Sequence, residues 1–180
     1  MTFEATPIPG AFVLTLTPAH DERGFFARTS CTDGFRAHGL NPHIAQSSLS
    51  QTVRRGTVRG MHYQKPPGAE AKVVRCFRGA IFDVAVDLRP TSPAYLQWWS
   101  VELTADNRRS FYVPEGCAHG FQTLDDDCEV FYQISAPYAP DLAGGFRYDD
   151  PLVGIAWPLP VSAVGPKDLA WAPLTRGAGA

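Results

Sequence analysis

The sequence predicts a mostly β protein, a sandwich or barrel of short strands. Three observations predict it. Sixteen glycines and sixteen prolines cut the 180 residues into short segments. Those segments are rich in Val, Phe, Tyr, Trp and Thr, which suit a pleated, half-buried surface. One of them, Ile81 to Leu88, alternates in the strand period: Phe82, Val84, Val86 and Leu88 fall on one face, and Asp83 and Asp87 on the other. One face therefore packs on a core and the other carries carboxylates.

Taken in chain order, Phe12–Thr17 is a β-rich run between Gly10 and Pro18, and Phe25–Cys31 follows Gly24. Asp33–His38 is the only early stretch with helical character, Asp33 being placed to cap it. Further strands are expected at Ile44–Gln51, Thr57–Gln64, Ala71–Arg78, Ala80–Leu88, Leu96–Leu103, Ser110–Val113, His119–Leu124 and Cys128–Ser135, each bounded by turn residues. Parity puts His62 with Gln64, and Val130 with Tyr132. It sets Arg59 opposite to His62 unless Gly60 forms a bulge. From about residue 151 the chain turns proline-rich, through Pro158, Pro160, Pro166 and Pro173. This tail is expected to wrap the body, making residues 1–180 a single domain. There is no internal repeat, and only the terminal Gly-Ala residues are of low complexity.

Composition excludes several functions. A net charge of −2 lacks the basic face a nucleic-acid partner requires. No segment approaches the roughly 18–20 apolar residues of a membrane span, and the N-terminus lacks the layout of a signal peptide, so a cytoplasmic protein is expected. Cys31, Cys76, Cys117 and Cys128 show neither C-x-x-C nor metal-ligand spacing, which reads as free thiols. The only lysines are Lys65, Lys72 and Lys167.

Two glycine-interrupted, strand-like runs concentrate polar groups: Arg59-Gly60-Met61-His62-Tyr63-Gln64 with Lys72 downstream, and Pro114-Glu115-Gly116-Cys117-Ala118-His119-Gly120. Their spacing, with Glu70 and Gly79 after the first, resembles the paired motifs of the cupin superfamily. Metal-binding cupins carry a second histidine where this chain has Gln64. A neutral amide is a poor transition-metal ligand beside imidazole, so no metal is expected.

In order and spacing, the chain is similar to the dTDP-4-dehydrorhamnose 3,5-epimerase family along most of its length. The segments that carry the resemblance are Asp21-Glu22-Arg23-Gly24-Phe25-Phe26, the two polar runs (the second continuing to Phe121), Lys72-Val73-Val74-Arg75, Phe82 to Arg89, Asp149-Asp150-Pro151 and Lys167-Asp168. The resemblance implies a cupin-type double-stranded β-helix, or jelly roll, with a few short helices. It further implies a homodimer that needs no cofactor and acts on a nucleoside-diphosphate 4-keto-6-deoxyhexose in deoxysugar biosynthesis, as in rhamnose formation.

The chemistry explains the residue types. A proton beside a ketone is weakly acidic, and its removal leaves an enolate oxygen that must be stabilised. Positioned acid–base groups contribute about 10²–10⁴ in rate, and each preorganised donor or cation at the oxyanion roughly 3–4 kcal/mol. The site needs a base, an acid on the opposite face and a cation. By resemblance His62 is the base, Asp168 its orienting carboxylate, Tyr132 the acid and Lys72 the cation. His119 bonds near the ketone, and Asp83 holds Lys72 or His119. Arg23, Arg59 and Gln46 take the diphosphate, joined by Lys167, and Tyr138 stacks on the base. The segment carrying Arg23 reaches into the neighbouring subunit's site.

Without the resemblance, Tyr132 reads as core, Asp168 as a cap on a terminal turn, and Lys72 as a solvated edge residue. The chain departs from the family at Arg28 and Ala143, where glutamates are usual, at Ser48, where asparagine is, and at Cys117, where phenylalanine is. Arg28 and Ser48 are counted with the substrate-binding residues. Alternatives stay open: a metal-dependent cupin oxygenase or isomerase using His62, Glu70 and His119, a non-catalytic sugar-binding cupin, an epimerase of one carbon only, or a ketoisomerase. The nucleotide, and whether carbon 3, carbon 5 or both are inverted, are not legible.

Overall fold

The computed structural model describes residues 1–175, so the terminal Gly-Ala residues lie outside it. In chain order the elements are β1 (Thr2–Ala5), β2 (Phe12–Thr15), β3 (Ala19–Asp21), β4 (Gly24–Phe26), α1 (Thr32–Ala37), β5 (Gln46–Thr52), β6 (Thr57–Gln64), β7 (Lys72–Arg78) and β8 (Ala80–Asp87). There follow β9 (Trp98–Thr104), β10 (Arg109–Val113), β11 (Cys117–Thr123), β12 (Cys128–Ile134), β13 (Ala143–Gly145), β14 (Ala163–Val164) and α2 (Pro166–Leu169). One sheet runs β1-β2-β10-β7-β12-β5. The other runs β13-β6-β11-β8-β9, with β14 also beside β6. The β14–β6 pairing is parallel and the rest are antiparallel. This is the expected jelly roll.

Burial explains why two sheets form. Val13, Val74, Phe111 and Val130 from the first sheet meet Ile81, Ala85, Leu103 and Phe121 from the second in the main core. The outer face of the second sheet is also covered: Met61, Val84 and Val86 pack under Phe146, Val153 and Trp157. On the first sheet, Leu14, Val73 and Tyr112 pack under Phe35 and Leu40. β8 is therefore buried on both sides, and its carboxylate face is dry. Asp87 is fully buried and bonded by Arg89 Nε at 2.8 Å and Ser92 Oγ at 2.6 Å, as an enclosed charge requires.

The structure corrects several boundaries. The strand expected over Phe25–Cys31 stops at Phe26, because β3 and β4 pair only with each other and give residues 27–31 no ladder to join. Helix α1 starts one residue early, with Cys31 rather than Asp33 at its N-cap position and no side-chain cap. Asp33 instead lies in the first turn, where a carboxylate favours the positive end of the helix. β1, β3, β13 and β14 were not expected; at two to four residues they show no period.

Gly60 settles the parity question. His119 pairs with His62, but Phe121 pairs with Arg59, so β6 holds one extra residue against β11. Gly60 has φ +132, and a Cβ there would sit 2.6 Å from Gly120 Cα. Only glycine fits both the conformation and the approach. The bulge turns Arg59 and His62 to the same side.

Within the described residues, the chain after residue 145 lies over the second sheet. Buried Gln122 fixes it by donating to Leu159 O and accepting from Leu159 N, both at 3.0 Å. Asp150 holds Leu174 N at 2.6 Å. This path brings β14 to β6 and α2 to His62. Among the described residues no helix is long and apolar enough to cross a membrane.

Candidate active site

Between the sheets lies a cavity of about 270 Å³, joined to a second of about 390 Å³ through shared Arg59, His62, Glu70 and Tyr138. Strand period builds the first. Gln46, Ser48 and Ser50 alternate along β5, His62 and Arg59 come from β6, and Lys72, His119 and Tyr132 come from β7, β11 and β12. The second is lined by Ala143, Lys167, Asp168 and Trp171.

His62 Nε2 donates to Asp168 Oδ1 at 2.6 Å. The histidine side chain is 41% exposed and the carboxylate 10%, so the ring faces the cleft while its partner is enclosed. The Gly60 N–H donates to Asp168 Oδ2 at 3.1 Å. Burial alone would raise the Asp168 carboxyl. The hydrogen bond and charge of His62, the Gly60 amide and Lys167 outweigh it and hold the group below the ordinary carboxylate range. Asp168 is thus an anion at neutral pH, able to fix the ring and stabilise an imidazolium while Nδ1 takes a proton. It lies in the first turn of α2 without capping it.

Lys72 is buried in a central strand, not a solvated edge residue. Its Nζ lies 2.9 Å from Glu70 Oε1 and donates to His62 O at 3.3 Å. His119 Nε2 donates to Asp83 Oδ1 at 2.7 Å, so of the two partners considered Asp83 bonds His119. Burial raises the Asp83 carboxyl against the pull of His119 and Lys72, and its Oδ2 has no partner among the described residues. The Tyr132 hydroxyl meets Ser50 Oγ at 3.2 Å. Burial pushes this phenol above its ordinary range, against the Ser50 bond, and keeps it protonated.

Arg59 is aimed by Thr52 Oγ1 at 2.8 Å and Gln51 O at 2.9 Å. Gln46 Oε1 accepts the Tyr138 N–H at 2.9 Å. Gln64 is buried and donates to Gly68 O and Pro137 O while accepting from Ala139 N. It fixes the loop that carries Tyr138. Lys167 lies 5.9 Å from the Trp171 ring.

The structure therefore gathers His62, Lys72, Arg59, Gln46, Ser48, His119, Tyr132 and Tyr138 around one cavity, with Asp168 and Lys167 in the next. It does not bring in Arg23 or Arg28. Arg23 is exposed and paired with Asp21, and Arg28 Nη1 points at Cys31 Sγ, 3.6 Å away. Sequence reasoning missed Ser50 as the tyrosine's partner, although the Gln46-x-Ser48-x-Ser50 spacing puts it on the same face. Trp171 carried no signal. The three ligands of the metal alternative are engaged elsewhere, His62 by Asp168, Glu70 by Lys72 and His119 by Asp83. No three or more His, Cys, Asp or Glu side chains converge on a metal position among the described residues. All four cysteines are free, and burial pushes Cys76 and Cys117 up to about 12, which leaves them protonated.

The family model described as dTDP-4-dehydrorhamnose 3,5-epimerase matches residues 5–176. The chain belongs to the dTDP-4-dehydrorhamnose 3,5-epimerase family. Its members are isomerases, and the protein is an enzyme of that class. It is 43% identical over 177 residues to the dTDP-4-dehydrorhamnose 3,5-epimerase of Methanothermobacter thermautotrophicus, covering 96% of this chain and 94% of that one. The crystal structure of the Elizabethkingia anophelis dTDP-4-dehydrorhamnose 3,5-epimerase superposes with a TM-score of 0.93 at 34% identity, covering 96% of each chain. ChmJ, a 3'-monoepimerase from Streptomyces bikiniensis in complex with dTDP-quinovose, superposes at 0.86 with 31% identity, covering 94% of this chain and 86% of that one. Of the departures from the family, Ser48 and Ala143 line the cleft, and Cys117 is buried in the main core.

Proposed function

We propose that the enzyme epimerises a dTDP-linked 4-keto-6-deoxyhexose of the 4-dehydro-6-deoxyglucose type without a cofactor. The observation that carries the proposal is the placement of His62, held by Asp168 of α2, on one sheet and Tyr132 on the facing sheet, across one cavity. His62 takes the proton beside the ketone, and the electron pair moves to the ketone oxygen, which Lys72 holds with His119 near by. Tyr132 then gives its phenolic proton to the carbon from the other face. Exchange with water reprotonates Tyr132 and deprotonates His62 before the next turnover. Arg59, Lys167, Gln46 and Ser48 receive the nucleotide diphosphate, and Tyr138 the base. The Methanothermobacter relative supports inversion at both carbons.

Incubation with dTDP-4-keto-6-deoxyglucose in deuterated water tests this. Deuterium should enter at carbons 3 and 5 with no metal added and in the presence of a chelator. Entry at carbon 3 alone would make the enzyme a monoepimerase, as ChmJ is described. No entry at either carbon would sink the proposal for this substrate.

The proposal includes a homodimer, with residues 1–180 as one jelly-roll unit and the segment after 151 as its wrapping tail. The β3–β4 hairpin pairs only with itself and exposes Phe26 at 79%, and Leu49 on β5 is 61% exposed. Such apolar surface favours a partner, and the hairpin would carry Arg23 to the neighbour's cleft. Arg23→Ala and His62→Asn proteins, each inactive alone, should then regain activity when mixed, because one site of the heterodimer keeps both residues. Failure to recover would place Arg23 in its own subunit's site. A cytoplasmic location also belongs to the proposal and is supported by the free thiols, the usual state in a reducing compartment.

A further inference from the structure

We infer that Glu70 is a positioning residue for Lys72, holding its ammonium charged and aimed into the cleft, where the cupin-like spacing would have made Glu70 a metal ligand. This rests on the proposed role of Lys72 at the enolate oxygen. Glu70 precedes β7 and stands two residues from Lys72, so strand period points both to the cleft, while Ala71 between them packs in the outer core. The side chains are 9% and 10% exposed and 2.9 Å apart. Glu70 also lies where the two cavities meet.

An ammonium stripped of water favours losing its proton unless a negative charge faces it. The groups around Lys72 supply little else. β6 offers His62 and Arg59, β11 His119 and β12 Tyr132, none of them an anion at neutral pH. Asp83 of β8 acts on Lys72 through its charge, but its Oδ1 is bonded to His119. Among the described residues Glu70 is the only carboxylate within 4.0 Å of the Lys72 nitrogen. The carboxylate weakens the field that the cation projects on an enolate. What it supplies is that the cation is present, and that it points past the His62 carbonyl into the cavity.

Three lysines make a direct test possible. Protein labelled with ¹³C at lysine Cε gives three resonances, with that of Lys72 assigned through Lys72→Arg. In Glu70→Gln, Lys72 should titrate at least about one pH unit lower than in the parent, with Lys65 and Lys167 unmoved. One unit corresponds to a tenfold change in the protonation equilibrium. The alkaline limb of kcat for deuterium exchange should move down with it, while KM stays within about twofold. Glu70→Asp, which keeps the charge, should return both toward the parent. An unmoved Lys72 titration, or a moved titration with an unmoved limb, overturns the inference. Absence of exchange in the parent would instead count against the epimerase proposal, and the resonance would still report on Glu70.

Discussion

His62→Asn is expected to lower deuterium incorporation at both carbons by about 10²–10⁴, the range that a positioned general base contributes, with little change in KM. Asparagine is shorter, its amide falling where the near ring atoms of histidine stand, so Asp168 loses the Nε2 bond and keeps that from the Gly60 N–H. Asparagine has no nitrogen that can take a proton at neutral pH. Carbons 3 and 5 should lose exchange together if one base serves both. Loss at one carbon alone would require a second base, and Glu70, at the junction of the cavities, would be the group to examine. Unaltered exchange at both carbons would remove His62 from the mechanism and favour a binding role for the cleft.

How much of this site was legible in the sequence depends on how local each arrangement is. β6, β7, β8 and β12 were placed to within about two residues because their period is long enough to read. The alternation in Gln46-x-Ser48-x-Ser50 puts both serines on one face, but the register of β12 against β5, which sets Tyr132 opposite Ser48 with its hydroxyl at Ser50, is not a local pattern. The Arg59–His62 relation was legible as two alternatives. The choice between them lies in the contact of Gly60 with Gly120, some sixty residues away, which no local pattern contains. Asp168 is the extreme case. It reaches His62 across 106 residues, through a tail held by Gln122 and Asp150 that has no period of its own. Only resemblance to a family could pair them. Glu70 shows the opposite failure: the sequence made it conspicuous for the wrong chemistry, because motif spacing records a position on a strand and not the neighbour it meets.

Tyr132→Phe should separate the two halves of the reaction. The phenyl ring keeps the packing beside His119 and loses only the hydroxyl bonded to Ser50, so the fold and KM should change little. His62 can still remove a proton, and the enolate can take deuterium back from the same side. Exchange should therefore fall by less than about tenfold, while inverted product falls by about 10²–10⁴, the range for a positioned acid. The parent should show no loss of inversion through neutral pH from Tyr132 itself, because burial holds its proton on. Equal loss of exchange and inversion would mean that Tyr132 acts before the enolate forms, as a binding or structural group. Retained inversion would mean that another donor, or water, reaches the far face. The expected split follows from the two-sheet construction. His62 hangs from β6 and Tyr132 from β12, on sheets that share no strand, so a sugar ring lying between them presents one face to each. Inversion needs both faces, and exchange needs only the one that His62 commands.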